Sequence, residues 1–295
     1  MRRSAIGVFV LLVVVSSMVP AQTGATVSGT MHVNGKETKL GCVQAIHAED
    51  WTFGTDNKPV SITVTKVLLS DAPAYDLEDI FELSIRAKEG KLHGLLLKFS
   101  EDGKPMEGTI FDESLKTGTE PVFLSSVDFQ DTSFTKASVA AKGQTKEPID
   151  LISLKEPLEG STGKLEFTLA FDTPFQPEPK PTAEGPSAVE SGPAKAAQEF
   201  IRATEAKDVP AMKRIVRKEV VEMLENPEAQ QTVMGMLGES YPPGKQFTNA
   251  RVFDFGDHGW VEYKSQRQGD DGKPVDETYK IRVVRVNGEW KVSPF

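Results

Sequence analysis

The sequence predicts two domains of different class. The first is mostly β, a sandwich or partly closed barrel with one helix; the second is α+β, with helices followed by a four-stranded antiparallel sheet. Three observations predict this. Short runs of alternating apolar and polar residues fill the stretch from about Ala25 to Phe171. A proline-punctuated stretch from Asp172 to Pro193 interrupts them. From Ala194 apolar residues recur at helical spacing, until period-2 segments with Gly-containing turns take over at about Phe247 and run to Phe295.

The chain opens with Arg2 and Arg3 before an apolar run from Ala5 to Val15 and a Val19-Pro20-Ala21 step with small residues at the cleavage positions. This is the pattern of a secretory signal peptide over residues 1–21, with cleavage after Ala21. A membrane anchor needs about 20 apolar residues, and this run breaks at Ser16 and Ser17. The expectation is an exported protein, periplasmic or extracellular, with no membrane span after signal removal.

Residues 25–171 form the first domain. Val27, Gly29, Met31 and Val33 alternate with polar residues up to Asn34-Gly35, and Leu40, Cys42, Gln44 and Ile46 alternate beyond it. An Asn-Gly pair between two such runs is a hairpin signal, because both positions of a type I′ turn need positive φ. It sets His32 opposite Glu37. Further strands are predicted at Val60 to Leu69, Leu92 to Phe99, Met106 to Phe111, Phe123 to Phe129, Phe134 to Ala140 and Leu165 to Phe171, with Asp102-Gly103-Lys104-Pro105 as a turn. Between Asp76 and Lys88, Leu77, Ile80, Phe81 and Ile85 recur at helical spacing behind an Asp cap, predicting one helix that plugs the strand assembly. The run from Leu77-Glu78-Asp79 to Glu89-Gly90-Lys91-Leu92-His93-Gly94 is similar to exported bacterial proteins without assigned activity.

Residues 172–193 hold Pro174, Pro177, Pro179, Pro181, Pro186 and Pro193 and almost no large apolar side chain. Such a composition buries too little surface to offset its ordering entropy and is expected to act as a semi-extended spacer. Phe175 is the exception.

In the second domain, residues 194–295, Ala197, Phe200, Ile201 and Thr204 share one helical face, Asp208 is placed to cap the next helix, and Met212, Ile215 and Val216 line its buried side. Val220 to Leu224 and Val233 to Leu237 extend the helical part, with a break at Asn226-Pro227 and a stop at Tyr241-Pro242-Pro243-Gly244. Four strands follow, at Phe247 to Phe255, Gly259 to Ser265, Thr278 to Val286 and Trp290 to Phe295, joined at Gly256 to His258, Gly269 to Pro274 and Asn287-Gly288. The helical pair carrying Phe200, Ala203, Asp208, Met212 and Ile215, with the closing Asn287-Gly288-Glu289-Trp290-Lys291-Val292 strand, resembles the NTF2-like superfamily, in particular its exported bacterial branch of unassigned function. That resemblance implies a cone with a pocket between the helices and the concave sheet face.

Strand alternation places Gly259, Val261 and Tyr263 on one face and Trp260, Glu262 and Lys264 on the other. With the first set facing inward, Tyr263 is the candidate polar tip of a pocket walled by Phe200, Met212 and Ile281. The same four residues also read as ordinary core. Trp260, on the outer face, is a candidate anchor for a homodimer or an envelope protein partner.

The net charge of −9 is unevenly spread. Residues 25–171 carry 15 Lys/Arg against 23 Asp/Glu, while residues 194–295 carry 16 of each. No basic segment follows the leader, so the electrostatic footprint of a nucleic-acid or anionic-membrane binder is missing. Cys42 is the single cysteine, which excludes an intramolecular disulfide and leaves stability to buried apolar area. It reads as a small strand hydrophobe, with a reactive thiol as the alternative.

Catalytic patterns are sparse. An isomerase mechanism needs a carboxylate base and an acid or phenol in a dry pocket. Asp254, Asp257 and His258 are the candidate acid–base group, although they fall at a strand end and a turn. His32, His47, His93 and His258 show no metal-ligand spacing, the acidic run around Asp270-Asp271-Gly272 lacks the periodicity of a calcium loop, and no Gly-x-Ser-x-Gly elbow or phosphate-cradling loop occurs. No catalytic residue, metal or cofactor is therefore predicted. The sequence points to an exported non-catalytic protein that binds a small apolar ligand or a partner protein. The alternatives are an isomerase or hydratase using the pocket, and an assembly module that dimerises through the outer sheet face.

Overall fold

The computed structural model describes residues 24–53, 59–74, 76–151, 163–241, 250–268 and 274–295. The leader at 1–21, the Pro242-Pro243-Gly244 stop, the first residues of the strand expected from Phe247 and the Asp270-Asp271-Gly272 turn lie outside them.

The strands β1 (Thr26–Val33) and β2 (Lys36–Lys39) form the predicted hairpin, with Asn34 at φ 54° and Gly35 at φ 80°. His32 faces Glu37, with Nε2 3.3 Å from the carboxylate. The far strand of this hairpin is shorter than expected. Leu40 donates its N–H to the Gly29 carbonyl, Gly41 donates to Ser70, and the chain crosses into a second sheet as β3 (Cys42–Phe53). There follow β4 (Pro59–Ser70), α1 (Ile80–Lys88), β5 (Gly94–Ser100), β6 (Pro105–Phe111), β7 (Thr119–Val122), β8 (Val127–Phe134), β9 (Ser138–Thr145), β10 (Ile149–Leu151) and β11 (Gly163–Pro174).

Two antiparallel sheets result, one ordered β2-β1-β11-β9-β8 with β10 also on β11, the other β3-β4-β5-β6-β7. Their inner faces form a single apolar core containing Met31, Val67, Leu97, Phe99, Ile110, Leu165 and Phe167. Each such side chain, sealed to a few per cent exposure or less, contributes about 1.5–3 kcal/mol. At Gly29 the φ is 151° and an added Cβ would lie 2.3 Å from the Thr168 carbonyl oxygen, so β1 and β11 touch there as only glycine permits. The stretch expected as one strand from Phe123 to Phe129 is split. Phe123 is 72% exposed, Leu124–Ser126 form a 3₁₀ turn, and a register shift between Gln130 and Ser133, beside the positive φ of Asp131, moves the pairing along.

The helix α1 does not plug the sandwich. It lies on the outer face of the second sheet, where Leu83 and Ala87 pack with Leu77, against Leu68, Leu96 and Phe111. Its cap is Asp79, whose carboxylate accepts from the Glu82 N–H at 2.9 Å.

The predicted class of the remainder, helices followed by a four-stranded sheet in an NTF2-like cone, is not what the chain forms. The described chain is mostly strand, in three antiparallel sheets, and the third sheet has five strands. Its first strand, β12 (Ala183–Gly185), precedes the helices and comes from the proline-rich segment. Then come α2 (Gly192–Glu205), α3 (Val209–Ile215), α4 (Lys218–Glu225), α5 (Pro227–Ser240), β13 (Ala250–Asp254), β14 (His258–Gln268), β15 (Pro274–Val286) and β16 (Glu289–Ser293), giving the order β12-β13-β14-β15-β16. A three-residue strand between prolines carries no legible alternation, which is why the sequence concealed it.

The proline-rich segment is pinned at both ends. β11 runs on to Pro174, Phe175 bridges to Ala45 in β3, and Gln176 donates to the Ala45 carbonyl at 2.8 Å. At the far end Thr182 donates its N–H to the Val252 carbonyl at 2.7 Å. Only the stretch 177–181 crosses between the two pairings.

Candidate functional site: the seam and cleft between the domains

The third sheet has two unlike faces. Toward the helices it presents Val261, Tyr263, Ile281 and Val283, which join Phe200, Met212, Val220, Leu224 and Leu237 in one core. Phe200, Met212, Tyr263 and Ile281, the candidate pocket walls, are 0–2% exposed there. Phe200 packs edge-on against Tyr241, Tyr263 stacks on Tyr279 with ring centres 5.4 Å apart, and burial pushes the Tyr263 hydroxyl pKa up. Tyr263 also borders a hollow of about 260 Å³ at the β12–β13 end of the sheet, beside Glu184, Arg251 and Thr278.

The opposite face of the sheet is charged and turned toward the first domain. Period-2 alternation along β15 places Lys280 and Arg282 there, beside Trp260 of β14. The turn before α1 brings three carboxylates to meet these cations. Asp76 accepts from Lys280 Nζ at 2.9 Å and from Arg282 Nε at 3.1 Å. Asp79 lies 3.2 Å from the same Arg282 Nε, and Glu78 lies 3.5 Å from Lys280 Nζ. Glu82, on the first turn of α1, pairs with Arg217 at the start of α4, and Arg217 holds Glu219 at 2.7 Å. Phe81 joins the core of the second domain, with its ring 5.7 Å from that of Phe295 and the Arg217 guanidinium 5.9 Å from its centre.

This seam is dry enough to move pKa values. Burial works to raise Asp76, but Lys280 and Arg282 outweigh it and hold the carboxyl below its usual range. At Asp79 burial prevails, because Arg282 is shared with Asp76 and offsets it only in part, and the pKa is pushed up to about 6. Burial opposes the charges of Arg217 and Arg282, yet their carboxylate partners more than compensate and raise both.

His258 closes one end of the seam, bordering a small hollow with Asp79, Glu82 and Arg86. Its Nδ1 lies 2.7 Å from Asp257 and its ring stacks on Phe255. Burial, only partly offset by Asp257, lowers its pKa. The structure thus brings His258 and Asp257 together but leaves Asp254 apart, its carboxylate accepting from the Gly256 N–H within the turn. Trp260, the candidate interface anchor, is 7% exposed. It stacks on Phe253 at 4.8 Å, carries the Lys280 ammonium 4.2 Å over its ring, and donates its indole N–H to Glu262 at 3.1 Å.

Beside the seam lies a cleft of about 490 Å³. Trp260 and Phe253 form one wall, Ile46 and His47 of β3 another, and Gln176, Pro177 and Pro179 a third, with Asp76, Glu78, Glu178 and Lys280 among the polar groups. His47 is fixed there by Phe175, with ring centres 3.8 Å apart.

Elsewhere, Cys42 is partly buried, and burial together with Asp71 raises its thiol pKa, which disfavours the thiolate. His93 lies between Asp71 (2.6 Å) and Glu113 (3.6 Å) on the surface of the first domain. Among the described residues no group of three or more His, Cys, Asp or Glu side chains is placed to hold a metal ion, and no helix is long and apolar enough to cross a membrane.

Sequence reasoning missed the seam residues Asp76, Asp79, Glu82, Arg217, Lys280 and Arg282. A signal was present: two cations on the Trp260 face of the sheet, Lys280 and Arg282, alternating with the apolar Ile281 and Val283, and an acidic helix start in a domain with excess negative charge. Pairing the two required knowing that the domains dock. Comparisons with protein-family models, with curated proteins and with solved structures gave no match.

Proposed function

We propose that this chain is an exported, non-catalytic binding protein that takes a small ligand with an apolar body into the cleft between its two domains. The observation that carries this reading is the cleft's construction. Its volume of about 490 Å³ falls within the roughly 300–1,000 Å³ of small-molecule sites, and such sites favour domain interfaces. Ile46, Phe253, Trp260, Pro177 and Pro179 are among the apolar groups that line it, and a few carboxylates with Lys280 and Arg251 supply orienting polar contacts. Export is supported by the Arg2-Arg3 start, the apolar run from Ala5 to Val15 and the small-residue step ending at Ala21.

Native mass spectrometry of the protein, gently purified from its own host, tests the reading. One ligand mass per chain is expected in the wild type, absent from Gln176→Trp, in which an indole fills the cleft from the proline wall. An empty wild-type chain, or a ligand retained by a folded Gln176→Trp variant, would sink it.

A further inference from the structure

The seam holds more negative than positive charge. From the first domain come Asp76, Glu78, Asp79 and Glu82, with Arg86 on α1 bordering the same hollow; from the second come Lys280 and Arg282 on β15, His258 on β14, and Arg217 with its own Glu219 at α4. Arg86 spends one N–H on the Pro73 carbonyl, within its own domain. Two carboxylates converge on a single nitrogen, Arg282 Nε, and only Asp76 has a second cation in Lys280. Asp79 is the more enclosed of the two, with a side chain 8% exposed against 14% for Asp76. Two anions sharing one counter-ion in a desolvated place are relieved when one of them takes a proton.

We propose that the interdomain seam is a proton-tightened latch, in which docking of the two domains draws a proton onto Asp79 and mildly acidic medium clamps them more firmly than neutral medium. The balance is simple. In the open state Asp79 is a carboxylate; on closing in medium at or below about pH 6, its carboxyl group takes one proton from solvent, Arg282 stays with Asp76, and the cap to the Glu82 N–H persists because the protonated group still has an acceptor oxygen.

The sign follows from linkage. A carboxyl group whose pKa is higher in the closed state binds protons preferentially there, so closure strengthens as pH falls from about 7 toward the ordinary value of 3.8. His258 acts the other way: held neutral by burial, it costs closure stability as pH falls below its ordinary 6.5. Asp76 and Glu219, both lowered, keep their contributions down to the ordinary carboxylate values and lose them as the pH falls further. Asp79 and His258 therefore oppose each other across the mildly acidic window, and a test must separate them. Asp76, Lys280 and Trp260 also border the cleft, so the latch bears on ligand retention if the cleft reading holds. The latch itself does not depend on that reading.

Hydrogen exchange of the full-length chain without added ligand, corrected for intrinsic rates, measures the opening constant at the amides of α1 and at Arg217, whose N–H is bonded to Val292. In a His258→Gln background the opening constant should fall about tenfold between pH 7.5 and pH 5, for a carboxyl moving from 3.8 to about 6. Adding Asp79→Asn, which keeps the cap and removes the titration, should flatten that dependence. Asp79→Ser serves the same purpose if the Asn variant misfolds. These amides are bonded within their own domains, so they exchange in openings that also unfold α1 or the second domain, and the tenfold change is the full difference between the docked state and a state in which Asp79 has its ordinary value. An opening constant that is flat or rises toward pH 5 in His258→Gln, or an undiminished slope in both Asp79 variants, would overturn the latch.

Discussion

The two faces of the third sheet are built from the same strands and held by opposite physics. Facing the helices, β14 and β15 present Val261, Tyr263, Ile281 and Val283 to a sealed apolar core. Facing the first domain, the intervening residues are Trp260, Lys280 and Arg282, which meet a row of carboxylates. Burial of apolar area is insensitive to pH and robust, so that face fixes the fold of the domain. Ion pairs removed from water break about even against their desolvation cost, so the other face fixes an orientation more than a stability. The sheet therefore couples a permanent interface to a conditional one, two ångström-scale neighbours with different responses to the medium.

Substitutions on each face sharpen this contrast. Phe200→Ala should cost the most, about 3–5 kcal/mol, because a ring at 0% exposure leaves a cavity its neighbours cannot fill. Urea unfolding measures it, and a loss under about 1 kcal/mol would mean the helix side has room to spare, reviving a pocket there. Arg282→Ala should come next, at about 3 kcal/mol near pH 7.5, since it strands Asp79 and leaves Asp76 with Lys280 alone. A cost of only a few tenths, with unchanged α1 exchange, would show the seam to be wet. Asp257→Asn should be smallest, within about 0.5 kcal/mol by thermal melting, because its side chain is 63% exposed and its pairing with His258 is water-screened. A larger loss would make the His258–Asp257 pair part of the latch.

Much of the fold is legible in short windows of sequence. The Asn34-Gly35 hairpin, the Asp208 cap with its carboxylate on the Ala211 N–H, and the inward set of Val261 and Tyr263 all follow from local chemistry, where a turn residue or an alternation carries the information. What escapes such windows is non-local. β12 is a strand only because β13 offers it an edge, and the departure of the chain at Leu40 depends on Ser70 being there to receive Gly41. The site is less legible still. Phe200, Met212, Tyr263 and Ile281 are readable as a buried set, but the seam needs acidic residues around position 80 to meet cations near position 280, a pairing no window of sequence contains. Alternation places Trp260 on the outer face, and the surface it lies beside belongs to its own chain.

The pairing of β1 with β11 sets Thr26 against Asp172 and Val33 against Leu165, so β1, paired at once with β2, finds its other neighbour only when the whole first domain has been made. Such distant closure makes assembly slow and leaves the edge of β1 open while the rest of the domain is being made. Because β11 leads without interruption into the proline segment and β12, the strand that completes the sandwich is also the one that delivers the edge of the second domain's sheet. The birth order of the chain thereby orders the two domains: the first closes late, and the second is begun by the same stroke.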